Sequence, residues 1–271
     1  MQKPFFIIMV TLAALSCRAP QLQAQEPGQT GIVAHRGYWN CEEAGYAKNS
    51  IAALRCAQEA GFWGSEFDVR ITSDSVLIVY HDKRINGKRI ERQPYYEIKD
   101  ITLENGEPLP TLEMFLEQGK KYPETMLVVE FKPLTSEEAD ATLVNLTFET
   151  LKEQGLYDPE RVMFISFGLH ICEKIAAEHP QFKVQYLGSL KSPKKISRLG
   201  IDGIDYNHMV LSICREWADQ ARSLGMNVNA WTLNKASATR RMLEKGVDQI
   251  TTDTPLLTRD LMQQMNITEI R

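Results

Sequence analysis

The sequence predicts an α/β protein that forms one TIM (β/α)8 barrel, and three observations support this. Short apolar runs rich in valine and isoleucine alternate with segments of helical period, which is typical of βαβ units in a parallel sheet. Eight or nine strands within about 245 residues suit one closed barrel better than an open sheet. No glycine-rich loop follows the first strand, which argues against a dinucleotide-binding fold.

The predicted strands and helices alternate along most of the chain. Strands are predicted at residues 31–35, 65–70, 76–80, 126–131, 162–166, 184–187, 203–206, 227–231 and 249–251. The spacing of apolar residues predicts helices at residues 49–60, 111–121, 136–154, 169–178, 213–224, 235–245 and 255–264. Asn49 precedes the first helix and is expected to be its N-cap, since asparagine is favoured there. Residues 25–271 show no repeat, linker or low-complexity tract and are predicted to form a single domain.

One junction departs from this alternation. Only five residues separate the second and third predicted strands, which is too short for a parallel crossover. An antiparallel hairpin is therefore predicted after the second strand. A turn centred on Ser73 and Asp74 would place Glu66 opposite His81. Because side chains two apart share a strand face, Glu66, Asp68 and His81 should converge on one patch.

The first 24 residues are predicted to be a signal peptide that directs export. Lys3 supplies a short positive region, and residues 5–15 form an apolar run too short to span a bilayer. Cleavage after Ala24 would leave a soluble periplasmic or secreted protein. Cys17 loosely resembles the modified cysteine of a bacterial lipoprotein, so membrane attachment through lipidation at Cys17 is the alternative.

The composition excludes several classes of protein. Of the 271 residues, 43% are hydrophobic and 24% are charged, which excludes collagen, a disordered tail and a multi-span membrane protein. The net charge of −4 gives no basic excess for a nucleic-acid partner. Five cysteines are too few for a disulfide scaffold. The oligomeric state is left open by the sequence.

Acidic residues lie on two of the predicted strands, and barrel enzymes carry their reactive groups at the carboxyl ends of strands. Glu66, Asp68 and Glu130, here called the acidic triad, would face a common interior. Three carboxylates in that position would repel one another unless a cation compensated them. Oxygen ligands alone suit a hard ion, so one divalent cation, Ca²⁺ or Mg²⁺, is predicted at the acidic triad.

Histidines and basic residues accompany the acidic triad at the strand ends. His35 and His81 are candidates for the general acid and the general base, because histidine titrates near neutral pH. Arg36 and Lys132 would add fixed positive charge where a phosphate could bind. Trp231 could line the pocket against an apolar head group. Together these residues indicate a site for a phosphoester, a small-molecule substrate.

In this order, the motifs resemble the glycerophosphodiester phosphodiesterase family. The resemblance covers roughly residues 31–258 and rests on His35-Arg36-Gly37, Asn49-Ser50, Glu66-Phe67-Asp68, His81-Asp82, Glu130-Phe131-Lys132, Trp231-Thr232 and Ile250-Thr251-Thr252-Asp253. It implies a TIM barrel that hydrolyses glycerophosphodiesters to sn-glycerol 3-phosphate and an alcohol. It also implies that the two histidines act as acid and base, the acidic triad holds the ion, and the arginine and lysine bind phosphate.

Other functions stay open at this point. Lys48 stands where members of the family commonly have glutamate, which leaves the exact substrate in question. One alternative is a related lipid phosphodiesterase, similar to a phospholipase C or D, on the same barrel. Another is a catalytically silent exported binding protein. The sequence also leaves open which histidine is the base and whether a cyclic phosphate forms first.

Overall fold

The computed structural model describes residues 28–188 and 190–271 of the chain. Within these residues the strands are β1 (Gln29–Ala34), β2 (Gly64–Ile71), β3 (Leu77–Val79), β4 (Arg84–Ile85), β5 (Lys88–Arg89), β6 (Met126–Phe131), β7 (Val162–Ser166), β8 (Val184–Tyr186), β9 (Gly203–Asn207), β10 (Asn227–Trp231), β11 (Gln249–Thr252) and β12 (Thr268–Ile270). The α-helices are α1 (Ile51–Glu59), α2 (Leu112–Gly119), α3 (Glu137–Glu153), α4 (Leu169–Glu178), α5 (Pro193–Ser197), α6 (His208–Ile213), α7 (Trp217–Ser223), α8 (Ala236–Glu244) and α9 (Pro255–Gln264).

Eight parallel strands close into a barrel. Their order around the ring is β1, β11, β10, β9, β8, β7, β6 and β2, and β2 closes the ring by pairing with β1. Helices between the strands cover the outer face and bury a large apolar core against it. The predicted TIM (β/α)8 barrel is therefore confirmed.

Alternation along the strands separates this outer core from the barrel interior. On β2, Phe67 packs in the outer core, so Glu66 and Asp68 on either side of it point inward. On β9, Tyr206 packs in the outer core, so the preceding Asp205 points inward. The interior also contains a separate apolar cluster, formed by Val33, Val128, Met163, Ile165 and Leu187.

The predicted antiparallel hairpin follows the second barrel strand, but the predicted register is wrong by one residue. Val69 of β2 lies opposite Val79 of β3, so the connecting turn is one residue longer than expected. Ser75 has a φ of 66° and is the left-handed third residue of a three-residue turn. The Thr72 hydroxyl stabilises the turn by accepting a hydrogen bond from the Val76 N–H at 3.0 Å.

Residues 83–110, here called the cap, lie beside this hairpin. β4 and β5 form a second antiparallel hairpin within the cap, and two short 3₁₀ helices follow at Ile90–Arg92 and Tyr95–Glu97. An apolar cluster distinct from the barrel core attaches the cap to the barrel. Its buried members are Ala47, Ile78, Ile85, Ile90, Ile98, Leu103 and Leu109.

One predicted helix begins too early. The helix predicted at residues 213–224 corresponds to α7, because Cys214 has a ψ of 72° and is not helical, and Ile213 ends α6, which was not predicted. α7 then begins at Trp217. The short elements α5 and β12 were not predicted, since neither is long enough to show a clear apolar period.

The predictions for the N-terminus lie outside the described residues. These are the signal peptide at residues 1–24, cleavage after Ala24 and lipidation at Cys17, and all three stay predictions. Among the helices that the structure describes, none combines the length and the apolar character that a membrane span needs. The cysteines of the described part of the chain are free thiols: Cys41, Cys56, Cys172 and Cys214.

Candidate active site

The acidic triad is assembled by two neighbouring strands. β2 and β6 pair in parallel, and their register places Asp68 beside Glu130. Glu66 shares the inward face of β2 with Asp68 because the two are separated by one residue. Each residue of the triad offers one oxygen within 4.8 Å of the others, and all three side chains are buried.

Burial within a group of like charges shifts the acid–base behaviour of the triad. Burial raises the pKa of Glu66 well above its usual range, and the charges of Asp68 and Glu130 add to the shift. Burial also raises the pKa of Glu130 to about 7. Burial acts in the same direction on Asp68, but the attraction of Lys132 and the hydrogen bonds to the carboxylate outweigh it and lower the pKa to about 2.

The triad fits a divalent cation in its charge and in its donor atoms. Lys132 Nζ lies 2.7 Å from Asp68 Oδ1 and 2.5 Å from Glu130 Oε1, so one ammonium group faces three carboxyl groups. Glu66 Oε1 is buried and meets no hydrogen-bond donor among the described residues. Buried acceptors are normally paired, and a set of oxygen ligands suits a hard cation such as Ca²⁺ or Mg²⁺.

The turn after β1 directs Arg36 toward the triad. Arg36 has a φ of 56°, a left-handed conformation that lets its N–H donate to Glu66 Oε2 at 2.7 Å. Gly37 follows with a φ of 79°, and a Cβ there would lie 2.7 Å from the backbone carbon of Ala53, so the position requires glycine. Arg36 Nε lies 3.7 Å from Asp68 Oδ2, which places its guanidinium group beside the triad.

His35 is held through its ring by Asp253, a partly buried aspartate. Its Nδ1 lies 2.7 Å from Asp253 Oδ1, at the end of β11. The indole N–H of Trp39 donates to the same oxygen at 3.0 Å, and the amide of Asn234 donates to Oδ2 at 2.6 Å. Burial acts to raise the pKa of Asp253, but these bonds lower it to about 2. Because the carboxylate is ionised, Nδ1 of His35 is the donor and Nε2 is left for chemistry.

His81 reaches the site although it does not pair with Glu66 as predicted. β3 ends at Val79, so His81 lies beyond the strand pairing. Arg70 of β2 holds its backbone instead, donating to the His81 carbonyl from Nε at 3.0 Å and from the terminal nitrogen at 2.7 Å. The ring Nδ1 lies 2.8 Å from Asp82 Oδ1. Burial, followed by the charge of Lys132, lowers the pKa of His81.

The prediction that Asn49 caps the first helix is wrong. The N-cap is Ser50, whose hydroxyl accepts from the Ala53 N–H at 2.9 Å. Asn49 has a φ of 57°, and its side chain turns to β2, where its amide donates to Asp68 Oδ2 at 2.7 Å. Its carbonyl oxygen accepts from the Asp68 N–H at 3.2 Å. Asn49 therefore orients a residue of the triad.

Most of the predicted site residues surround one cavity of about 150 Å³, here called the inner cavity. Asp68 lies behind its wall, where it pairs with Lys132 and Asn49. The remaining predicted residues line the cavity: His35, Arg36, Glu66, His81, Glu130, Lys132 and Trp231. The far side is formed by Ile165, Phe167, Leu187 and Asp205.

A second opening of about 390 Å³, here called the outer cleft, lies between the barrel and the cap. Arg36 and His81 line both spaces, so they stand at the junction between the inner cavity and the outer cleft. The other walls of the outer cleft are Lys48, Asn49, Tyr80, Asp82 and residues 101–104.

Several residues that position the site were not predicted. Asp253 entered only as the last residue of a motif, with no role of its own, and Trp39 was assigned no role. Arg70 continues the inward face that carries Glu66 and Asp68, so the two-residue spacing could have identified it. No motif lies beside Asp205 in the sequence, so only the folded barrel shows that it lines the cavity.

Several known proteins are similar to this chain. A crystal structure of a glycerophosphodiester phosphodiesterase from Parabacteroides distasonis is 38% identical, has a TM-score of 0.85, and matches 89% of this chain and 100% of that one. A glycerophosphodiester phosphodiesterase of Caldanaerobacter subterraneus subsp. tengcongensis is 27% identical over 255 residues, 84% of this chain and 95% of the relative. An Oleispira antarctica phosphodiesterase, solved in complex with the product sn-glycerol-3-phosphate, shares the fold at 22% identity, with a TM-score of 0.74 over 86% of this chain and 96% of that one.

The family model of the glycerophosphoryl diester phosphodiesterase family matches residues 35–257. This range contains the whole acidic triad, both site histidines, Arg36, Lys132 and Trp231. The chain therefore belongs to the glycerophosphoryl diester phosphodiesterase family of enzymes.

Proposed function

We propose that this protein hydrolyses glycerophosphodiesters to sn-glycerol 3-phosphate and an alcohol, with a divalent cation at the acidic triad and two histidines as acid and base. The observation that carries the proposal is the inner cavity, which brings His35 and His81 together with Arg36, Lys132 and the triad. The product complex of the Oleispira antarctica phosphodiesterase supports the same substrate class.

Two spaces that meet at one point suit a diester, which carries two groups on one phosphorus atom. The phosphate lies at the junction, where Arg36 and His81 border both spaces. The inner cavity takes the glycerol, which all substrates share. The outer cleft takes the alcohol, which differs between substrates and needs the larger opening.

Charge stabilisation at the phosphate comes from several groups. Arg36 and Lys132 face the phosphoryl oxygens and stabilise the negative charge that grows on them. A divalent cation held by Glu66, Asp68 and Glu130 would supply Lewis-acid stabilisation of the same charge. The buried surroundings strengthen each of these interactions, because little water competes with them.

The two histidines move protons on opposite sides of the phosphorus atom. His35 lines the inner cavity, and its Nε2 accepts the proton of the attacking oxygen, which comes from water or from the glycerol 2-hydroxyl. Attack by the 2-hydroxyl forms a cyclic phosphate first; water then opens it to sn-glycerol 3-phosphate, with His81 accepting the proton of the water and His35 returning its proton to the 2-oxygen. His81 borders the outer cleft and gives its proton to the departing alkoxide, which becomes the alcohol. Asp253 keeps the tautomer of His35 that this role requires.

We also propose that the protein acts after export. Residues 1–24 have the pattern of a signal peptide, and cleavage after Ala24 would make Gln25 the first residue. Lipidation at Cys17 would instead anchor the protein to a membrane. Mass spectrometry of the mature N-terminus distinguishes the two forms, and a mature protein that still begins at Met1 would contradict both.

A lipid substrate is the second candidate, favoured by an apolar rim. The loops and the short helix that follow β7, β8 and β9 expose large apolar side chains at the mouth of the barrel. The exposed fractions are 44% for Phe167, 93% for Leu190, 60% for Met209 and 79% for Ile213. An acyl chain of a lysophospholipid could rest on such a rim.

The test is the release of the alcohol from a panel of substrates by the full-length protein. The second product is sn-glycerol 3-phosphate from a glycerophosphodiester and lysophosphatidic acid from a lysophospholipid. The panel pairs each glycerophosphodiester, with choline, ethanolamine, inositol or glycerol as the alcohol, with its lysophospholipid. We expect turnover of the glycerophosphodiesters, and a loss of about 10³-fold in kcat for His35→Ala and for His81→Ala.

The outcomes separate the three functions. Turnover of lysophospholipids alone would replace the proposal with the lipid phosphodiesterase. Binding of glycerophosphodiesters in calorimetry without any release of product would indicate a silent binding protein. Lys174→Ala is the matched control for the histidine variants, because Lys174 lies on α4 and pairs with Glu178 away from the cavity.

A further inference from the structure

We propose that Asp205 is a specificity-determining residue that binds the glycerol hydroxyl groups of the substrate in the inner cavity. The inference rests on the proposed function, since it places the glycerol of a glycerophosphodiester in that cavity. Asp205 lies on β9, on the side of the barrel opposite to the strand that carries Glu66 and Asp68. No step proposed above for catalysis uses it.

The carboxyl group of Asp205 lacks a partner within the described part of the chain. The residue is 1% exposed, it lines the inner cavity, and neither Oδ1 nor Oδ2 accepts a hydrogen bond from any described residue. Buried polar groups in folded proteins are nearly always paired. A buried carboxyl group without a partner destabilises the fold, and a ligand that hydrogen-bonds to it would offset this cost.

The neighbouring donors are all engaged elsewhere. Asn229 is the register neighbour of Asp205 on β10, but its amide donates to the Thr251 hydroxyl at 2.9 Å. Gln185 on β8 directs its amide to Gln249 at 3.4 Å. The indole of Trp231 donates to the backbone oxygen of Asp205 at 2.9 Å rather than to its carboxyl group.

The size and lining of the inner cavity suit glycerol. A cavity of about 150 Å³ accommodates a ligand of roughly six non-hydrogen atoms, as benzene in an engineered protein cavity shows, and glycerol has that size. Ile165 and Leu187 offer apolar surface to the carbon chain. The acidic triad and Lys132 lie at the other end, where the phosphate binds.

Hydroxyl groups match this carboxyl group in either of its protonation states. An ionised carboxylate accepts two hydroxyl protons, whereas a protonated carboxyl group donates one hydrogen bond and accepts another. Burial, together with the negative charge of Glu130, raises the pKa of Asp205 well above its usual range. A ligand without hydroxyl groups would leave the buried oxygens unpaired, and such mismatches give enzymes their strongest discrimination.

The test compares two ligands that differ only in their hydroxyl groups. n-Propyl phosphate has the carbon chain and phosphate of sn-glycerol 3-phosphate without its two hydroxyls. Calorimetry on the full-length protein in excess Ca²⁺ or Mg²⁺ gives both dissociation constants. We expect the wild type to bind sn-glycerol 3-phosphate about 10- to 100-fold more tightly than n-propyl phosphate. In Asp205→Leu that ratio should fall to near one.

Two further variants serve as a conservative substitution and as a control. Asp205→Asn keeps the shape of the side chain, so it carries the test if the leucine variant does not fold, and its ratio should fall by at least about threefold. Asp202→Asn is the matched control, because Asp202 precedes β9 at the other end of the barrel and accepts a hydrogen bond from the Val184 N–H at 2.9 Å. It should keep the wild-type ratio.

Three results would overturn the inference. The first is a wild-type ratio preserved in the Asp205 variants. The second is a loss of affinity for the cation alone as large in Asp205→Asn as in Glu66→Gln, which would make Asp205 a ligand of the ion. The third is a lower midpoint of thermal unfolding in Asp205→Asn than in Asp202→Asn, which would indicate a structural role. Failure of the proposed function is a separate result, namely no turnover of any glycerophosphodiester by the wild type.

Discussion

His35 and His81 both face the inner cavity, and in each ring Nδ1 lies beside an aspartate, at 2.7 Å and 2.8 Å. The aspartates differ. Asp253 is 20% exposed and has two further donors, whereas Asp82 is 70% exposed. His35 is therefore fixed through its ring. The position of His81 is fixed through its backbone, which Arg70 holds, and its ring contacts one aspartate that is mostly exposed to solvent.

This difference matches the tasks proposed for the two histidines. The base meets the same glycerol side of the substrate in every reaction, so an orientation fixed in advance serves it well. The acid must meet alcohols of different size in the outer cleft, so fewer fixed contacts on its ring suit it. The two hydrogen bonds from Arg70 hold the His81 backbone at the site.

The first prediction compares the loss of kcat when Asp253 or Asp82, the aspartates beside the two histidines, is replaced. Asp253→Asn should lower kcat by about 100-fold, since an amide no longer selects the tautomer of His35 with Nε2 unprotonated. Asp82→Asn should lower kcat by less than about fivefold, because Asp82 is mostly exposed and water screens its charge. The measurement is kcat for glycerophosphocholine with both purified variants. Equal losses of kcat in the two variants would contradict the proposed difference between the two histidines.

The second prediction tests the hydrogen bonds from Arg70 to the His81 carbonyl. Arg70→Lys can keep only one of the two hydrogen bonds to the carbonyl, so we expect kcat to fall by about tenfold, the effect of a displaced catalytic group. Arg161→Lys is the matched control, because Arg161 also donates to backbone carbonyls, of Gly119 and Tyr122, but away from the site. An Arg70 variant no slower than this control would refute the positioning role.

The smallest expected effect is a change in the unfolding temperature with pH, which depends on the carboxyl groups of the triad. The folded-state pKa of Glu130, about 7, is above its unfolded value, so its contribution to stability is full below about pH 4 and is lost as the pH rises through 7. Glu66 shifts in the same direction. Metal-free protein should therefore unfold at a lower temperature at about pH 8 than at about pH 6. Added Ca²⁺ or Mg²⁺ should raise that temperature by a few degrees, more at the higher pH.

Differential scanning calorimetry of the chelated and the loaded protein measures this change. Glu130→Gln is the informative variant, because it removes one titrating carboxyl group of similar shape. Its pH dependence should be flatter than that of the wild type. A stabilisation by the cation that is independent of pH would contradict the raised pKa values of Glu66 and Glu130.

The sequence allowed accurate prediction wherever local spacing decides the structure. The barrel followed from alternating periods, and the inward direction of Glu66 and Asp68 followed from their two-residue spacing. Asn49 shows where local preference fails. Asparagine is a good N-cap, but the turn before α1 forces a positive φ and directs its amide to Asp68 instead.

Long-range pairings explain why the residues around His35 were missed. Asp253 meets His35 across 218 positions of the chain, because closure of the barrel places β11 beside β1. Trp39 and Asn234 reach the same aspartate from two further loops. The hairpin register was wrong because Ser75 adopts a left-handed conformation, which serine rarely does.

The most direct measurement follows sn-glycerol 3-phosphate release from glycerophosphocholine by chelator-treated full-length protein, before and after adding Ca²⁺ or Mg²⁺. The account predicts no release before the addition, restored release afterwards, and no restoration in Glu66→Gln at the same ion concentration. Undiminished release in the presence of chelator, or full restoration in the Glu66 variant, would contradict it.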